Sequence, residues 1–301
     1  MTGSIFVGIS GWTYAGWRGP FYPDDVPHSR ELEFASRQFN AIEINGTFYS
    51  LQRPHNFADW RDRTPDDFCF AVKGSQFITH MKQLRDAERP LANFFASGVL
   101  RLEEKLGPIL WQFSDRMRYD RERFERFLEL LPKSERSASR LARRHDARVT
   151  GRSSFHTSSD RRIRHAFEVR NPTFFNDDFL GLLRAHEAAL VFSDAAADWP
   201  YAEDVTADFV YLRLHGAEEL YASGYTTPAL GDWADRVRAW SAGREPANAH
   251  RVGAPAPATQ RGHDGRDAFV FFDNDAKVHA PFDAFELADR LDIDWRFHHA
   301  E

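Results

Sequence analysis

The sequence predicts a single α/β domain over residues 1–301, a closed (β/α)8 barrel of the TIM type. Three observations carry that expectation: eight apolar runs of strand length, segments of helical spacing between them, and no dinucleotide fingerprint after the first run.

The runs lie at 5–12, 41–49, 69–75, 108–113, 166–170, 189–194, 209–215 and 268–274. Each is short, rich in β-branched or aromatic residues and bounded by turn-forming ones, as a buried parallel strand requires. Apolar residues recur at intervals of three and four in 30–39, 57–63, 91–105, 121–131, 177–186, 232–240 and 282–291, which predicts a helix at each. Residues 195–207 show no such spacing. Residues 244–265, rich in Pro, Ala and Gly, read as a mobile loop before the last strand.

Strict alternation of strands and helices requires parallel crossovers, and eight units in 301 residues fit a closed barrel. An open doubly wound sheet would announce itself by a Gly-rich turn leading into a helix. Gly8-Ile9-Ser10-Gly11 lacks the third glycine of that fingerprint.

With 42% hydrophobic residues the chain can bury a large core without disulfides or structural metals. The single cysteine, Cys69, reads as a buried strand residue and leaves no internal disulfide. Nothing approaches the roughly 20 apolar residues of a membrane span, and Met1 to Tyr14 do not form a basic leader with an apolar run, so a cytoplasmic protein with no membrane partner is expected. Net charge is −6, yet residues 133–164 carry Lys133 and nine arginines against Glu135, Asp146 and Asp160, a local +7 that leaves −13 for the remainder. That segment reads as an exposed, arginine-rich helix and loop, with nucleic acid as a candidate partner.

Period-two alternation sorts the polar residues. On 209–215, Val210, Leu212 and Leu214 share one face while Tyr211, Arg213 and His215 share the other. In a barrel the outward face packs on helices, so the polar face points inward and becomes functional at the C-terminal strand ends. The same parity turns Ser10 and Trp12, then Glu43, Asn45 and Thr47, then Lys73 and Ser75, Gln112, and finally Glu168 and Arg170 inward. Asp194, Asp273 and Asn274 qualify only by ending their strands. His80, Tyr221 and Tyr225 lie on loops, and Tyr49 closes the second run.

Several motifs together resemble those of the YecE-like family of uncharacterised proteins, a domain of unknown function. They are Gly8-Ile9-Ser10-Gly11-Trp12, Glu43-Ile44-Asn45-Gly46-Thr47-Phe48-Tyr49, Lys73 with Thr79-His80, Leu106-Gly107-Pro108-Ile109-Leu110-Trp111-Gln112-Phe113, Glu168-Val169-Arg170, Arg213-Leu214-His215-Gly216 and Phe271-Phe272-Asp273-Asn274. The resemblance runs from about Val7 to Leu287 and implies a barrel without naming a substrate. Two departures stand out: Asp273-Asn274 where such proteins often carry Asn-Asn, and Phe174-Phe175 where they often carry tryptophan. The first places more weight on Asn274 than on Asp273.

The favoured functional expectation is binding or hydrolysis of a phosphate-containing anion, a nucleotide, sugar phosphate or nucleic acid. Lys73, Arg170, Arg213 and His215 supply charge and donors, with Glu168 or Glu43 as base and His215 as acid for a phosphoester. Trp12, Asn45, Tyr49, His80, Gln112, Tyr221, Tyr225 and Asn274 complete the expected ligand set, with Arg213 the leading anion anchor. No metal or cofactor is expected, because cationic neighbours oppose a bound cation. The sequence leaves open a glycoside hydrolase with Glu43 and Glu168 as paired carboxylates, and a non-catalytic ligand-sensing or interaction protein. It specifies no oligomeric state.

Overall fold

The computed structural model describes residues 2–196, 199–216, 218–254 and 265–293. Eight parallel strands close into a barrel in chain order. They are β1 (Ile5–Ser10), β2 (Ala41–Ile44), β3 (Cys69–Lys73), β4 (Leu106–Gln112), β5 (His165–Glu168), β6 (Ala189–Asp194), β7 (Phe209–Leu214) and β8 (Asp267–Phe272). The helices are α1 (Glu31–Gln38), α2 (Gly46–Tyr49), α3 (Pro54–Asp62), α4 (Glu88–Ala96), α5 (Arg121–Leu130), α6 (Glu135–Ala142), α7 (Asp177–Ala185), α8 (Thr227–Ser241) and α9 (His279–Arg290). Packing divides the chain into two compact units, 1–43 with 175–301, and 44–174.

In the first unit β1 sits between β2 and β8, with Ser10 opposite Glu43 and Ile9 opposite Phe272. Gly8 is obligatory there: a Cβ would lie 1.8 Å from the Ala41 carbonyl oxygen. β7 pairs with β6 and β8, and its outward residues Val210, Leu212 and Leu214 are buried. α8 starts five residues before the expected 232, because Thr226 caps it by accepting from the Ala229 N–H and a proline occupies its first turn. It buries Leu230, Trp233, Val237 and Trp240, and α9 buries Ala280, Ala284, Leu287 and Ala288, each one helical stripe. The described residues between β6 and β7 contain no helix. Instead the buried Glu203 binds Arg236 and the His250 N–H, while Asp204 accepts from the Val252 and Gly253 N–H groups. These bonds anchor residues 250–253 of the expected mobile loop, whose residues 255–264 lie outside the described ones.

In the second unit β4 pairs with β3 and β5, setting Lys73 against Leu110 and Gln112 against Glu168. Trp111 and Phe113 face outward into rings of the neighbouring helices: Trp111 meets Phe94 of α4 and Phe127 of α5, and Phe113 meets Phe124 of α5. Phe174, where the family resemblance leads one to expect tryptophan, fills the same layer at 5.5 Å from Phe113.

Three expected boundaries in this unit are corrected. β2 stops at Ile44 instead of reaching Tyr49, since Thr47 turns its hydroxyl onto the carbonyls of Ile44 and Lys73 and the chain winds into α2. The helix expected over 91–105 ends at Ala96. Gly98 adopts φ +114, and a Cβ there would press on Pro54 at 2.5 Å, so the chain breaks and resumes as a 3₁₀ segment, Val99–Lys105. The helix expected from 57 starts at Pro54, a residue suited to the first turn. Cys69 is a buried free thiol, as its strand position implies.

Candidate functional site

The strand ends carry the polar residues that alternation predicted, together with Asp194, which qualified only by ending its strand. Ser10, Lys73, Gln112, Glu168 and Asp194 are the last residues of β1, β3, β4, β5 and β6, and Arg213 is the penultimate residue of β7.

In the first unit these groups converge on Glu43. Its carboxylate accepts from Ser10 Oγ at 3.0 Å, Tyr211 OH at 2.5 Å, and Arg213 Nε and NH2 at 3.2 and 2.9 Å. Arg213 NH2 also donates to Asp273 Oδ2 at 2.6 Å, and that oxygen lies 3.2 Å from His215 Nδ1. Glu43, Arg213 and His215 have no solvent exposure. Both Glu43 oxygens are engaged, so proton abstraction would first require breaking one of these bonds. Arg213 is an internal brace between two carboxylates, not the accessible anion anchor that its inward parity suggested.

Around His215, Trp199 and Tyr221 each set a ring edge-on at 5.3 Å. Tyr221 holds a left-handed φ of +63°, and its N–H donates to the His215 carbonyl. Tyr225 OH donates to Asp194 Oδ2 at 2.9 Å and accepts from the Gly216 N–H. Burial, followed by the charge of Asp194, pushes the Tyr225 phenol up; burial likewise raises the Asp194 carboxyl. Asn274, favoured over Asp273 from the sequence, turns aside to donate to Asp283 Oδ2 and the Ser223 carbonyl. Asp275 is held well above the usual carboxylate range, first by burial and then by the charge of Asp273. Trp12 is half-buried, and its carbonyl accepts from Tyr22 OH.

The second unit brings together a different set. Glu168 Oε1 accepts from Arg170 Nε and NH2 at 3.2 and 3.0 Å, and its Oε2 accepts from Gln112 Nε2 at 2.9 Å. The Lys73 ammonium lies 4.8 Å from the centroid of Phe48, whose ring also meets the His80 imidazole edge-on at 5.1 Å. His80 sits in a π-helical turn, Phe77–Met81, with Thr79 Oγ1 2.9 Å from its Nδ1. Burial lowers the His80 pKa, and the charges of Arg170 and Lys73 lower it further against the opposing pull of Glu168 and Asp115. Tyr49 is 71% exposed. Asn45 precedes α2, and its buried Oδ1 has no hydrogen-bond partner among the described residues.

Sequence reasoning missed Asp275 and Trp199 as members of these clusters, ranked Asp273 below Asn274, and left Tyr211 out of the expected site. Tyr211 had the correct parity, and Asp273 was adjacent to the residue preferred over it. Trp199 lies where no periodicity exists to mark it. Among the described residues no group of three or more His, Cys, Asp or Glu side chains is arranged to hold a metal ion, and no helix is long and apolar enough to cross a membrane.

A closed barrel of eight parallel strands with polar side chains at their C-terminal ends defines a TIM-type (β/α)8 protein. The chain belongs to the family described as "Protein of unknown function DUF72", whose model matches residues 6–300. It is 30% identical over 125 residues to the UPF0759 protein YecE of Escherichia coli K12, a match covering 37% of this chain and 43% of that protein. It is 32% identical over 75 residues to the UPF0759 protein YunF of Bacillus subtilis, covering 25% of this chain and 26% of the relative. The chain thus aligns with less than half the length of these curated relatives. A crystal structure of a DUF72 family protein from Thermotoga maritima superposes with a TM-score of 0.69 at 22% identity, covering 96% of this chain and 99% of that one. One from Enterococcus faecalis gives 0.67 at 16% identity, covering 97% and 96%. These likenesses establish the fold.

Proposed function

We propose that the chain binds a small phosphate-bearing ligand, a nucleotide or sugar phosphate, through Lys73, His80 and Arg170. The observation that carries this reading is the environment of His80. The half-buried imidazole and the Lys73 ammonium meet the same Phe48 ring, and the His80 pKa is lowered first by burial and then by the charges of Arg170 and Lys73, so cationic charge gathers at a place that would stabilise an anion. Arg170 is set in advance, because Glu168 grips its Nε and NH2 while Gln112 fixes the other carboxylate oxygen. Glu168 acts in this reading as a positioning residue and not as a base. Exposed Tyr49, packed on Phe48 at 5.1 Å, offers a face for the sugar or base of the ligand.

The test is calorimetry with inorganic phosphate, AMP and glucose 6-phosphate, combined with an NMR titration of His80. An anion seated beside the imidazole favours its charged form, so the His80 pKa should rise on phosphate binding. Replacing Lys73 or Arg170 by methionine should weaken binding about 10- to 100-fold, the worth of a charge-assisted hydrogen bond. Binding of glucose as tight as that of its phosphate would replace this reading with a neutral-sugar site; no binding of any anion would end it. The hydrolase form of the proposal adds phosphate release, read by colorimetric assay. A cytoplasmic setting belongs to the same proposal and is checked by cell fractionation.

A further inference from the structure

The arginines of residues 133–164 are held in place to a degree that an ordinary solvated surface does not require. α6 buries Glu135, Ala138, Ser139 and Ala142, which leaves Arg136 and Arg140 exposed one turn apart, with exposed Arg143 and Arg144 following directly. The Arg143 guanidinium carbon lies over the Phe155 ring, 5.1 Å from its centroid, and that of Arg148 over the Phe77 ring at 5.2 Å. Arg152 fastens Nε and NH2 to the Arg148 carbonyl, and Arg89 from α4 donates to the Arg144 carbonyl. Guanidiniums fixed in this way have already lost the rotamer freedom that binding would otherwise cost them.

Nearby acids neutralise part of the charge. Glu135 is turned inward onto Arg161, Asp160 lies 3.8 Å from Arg136, and Glu88 pairs with Arg144 at 2.6 Å. Asp146 caps the Arg148 N–H. The charge of Asp160 also reaches Arg140, and that of Asp146 reaches Arg148 and Arg89, so three acids, Glu88, Asp146 and Asp160, face a larger number of exposed cations.

We infer that this surface, formed by Arg140, Arg143 and Arg148 with Lys133 and Arg89 beside them, binds the phosphate backbone of nucleic acid. The planar guanidiniums of Arg143 and Arg148, held over rings, can match phosphate oxygens in pairs, which ammonium groups do not, and exposed Arg140 adds a further cation beside them. A lipid surface would call for a group of apolar side chains inserted beside the charges, but among the described residues the exposed large hydrophobic ones are Tyr49, Met81, Val252 and Phe282, none within 133–164. The contact is with the backbone and carries no sequence preference.

The experiment measures fluorescence anisotropy of a labelled 20-base-pair DNA duplex of arbitrary sequence across salt concentrations. It compares the parent, R140E/R143E/R148E, and the control R30E/R37E/K277E, which reverses as many exposed charges elsewhere. The surface variant should bind at least tenfold more weakly, with its salt slope flattened by about 3, close to one unit per lost phosphate contact. The control should bind within about threefold of the parent. Circular dichroism checks folding, and should the reversal variant fail to fold, arginine modification by phenylglyoxal on the parent replaces it, with duplex expected to protect Arg140, Arg143 and Arg148. Failure of the parent to bind at low salt, equal binding by the surface variant, an equal loss in the control, absence of protection, or binding to anionic vesicles without binding to duplex each overturns the inference. Phosphate binding at Lys73 is read separately and can fail without affecting this result.

Discussion

Arg213 sets Nε and NH2 against Glu43 at distances of 3.2 and 2.9 Å, and neither side chain has any solvent exposure. Removing one member of such a pair strands the other in a medium that solvates it poorly. Arg213→Met should therefore lower stability by about 3 to 5 kcal/mol, while Glu43→Gln combined with Arg213→Met should cost less than the sum of the two single changes. Urea unfolding of the three variants measures both. A loss below about 1 kcal/mol for Arg213→Met would show that the pair does not brace the barrel.

His165 predicts a specific acid sensitivity. Trp111 Nε1 donates to its Nδ1 at 3.1 Å and its Nε2 lies 2.9 Å from the Pro132 carbonyl, an arrangement that suits the neutral imidazole with its proton on Nε2. Burial, the largest influence, carries its pKa from 6.5 down to about 4. Above pH 6.5 neither folded nor unfolded chain protonates it. Between 6.5 and 4 the unfolded chain takes up a proton that the folded one refuses, so this group's contribution to stability falls as pH falls, by about 3 kcal/mol in all. Chemical unfolding at pH 7 and pH 4.5 should show a smaller drop in His165→Gln than in the parent. Equal drops would locate the sensitivity elsewhere.

Two glycines should respond to the same substitution with opposite signs. In Gly8→Ala the new methyl meets the Ala41 carbonyl oxygen at 1.8 Å, and backbone held in the β1–β2 ladder cannot withdraw, so a loss of more than about 4 kcal/mol is expected. Gly181→Ala, within α7, meets nothing within 4 Å and should stabilise by about 0.5 to 1 kcal/mol. Thermal unfolding of both variants is sufficient, and a stable Gly8→Ala protein would contradict the close approach of these strands.

The parts of this molecule legible in sequence are those governed by a period. Val210, Tyr211, Leu212 and Arg213 alternate because one strand face meets helices and the other the barrel interior, so their orientation could be read directly. Parity does not say which interior group meets which. Glu168 meets Arg170, two positions on with the same parity, whereas the Asp273 bond of Arg213 depends on where β8 ends. The close of β2 was hidden because Thr47, Phe48 and Tyr49 suit a strand, and a tertiary bond from Thr47 to the Lys73 carbonyl overrides that preference. Trp199 reaches His215 from a segment with no regular structure, and no local rule would have located it.

The uneven charge of the chain will govern how it behaves on charged matrices. A protein with pI near 6.1 and net charge −6 is conventionally captured at pH 7 on a quaternary-amine resin. Yet a sulfonate resin presents a dense array of anions to residues 133–164, whose local +7 includes guanidiniums braced on phenyl rings. The same sample should therefore adsorb to both resin types at one pH and leave the sulfonate only as added salt screens the contact. For this chain net charge is a poor guide to purification, because a resin senses the nearest ten ångströms or so of surface and not the sum over the molecule.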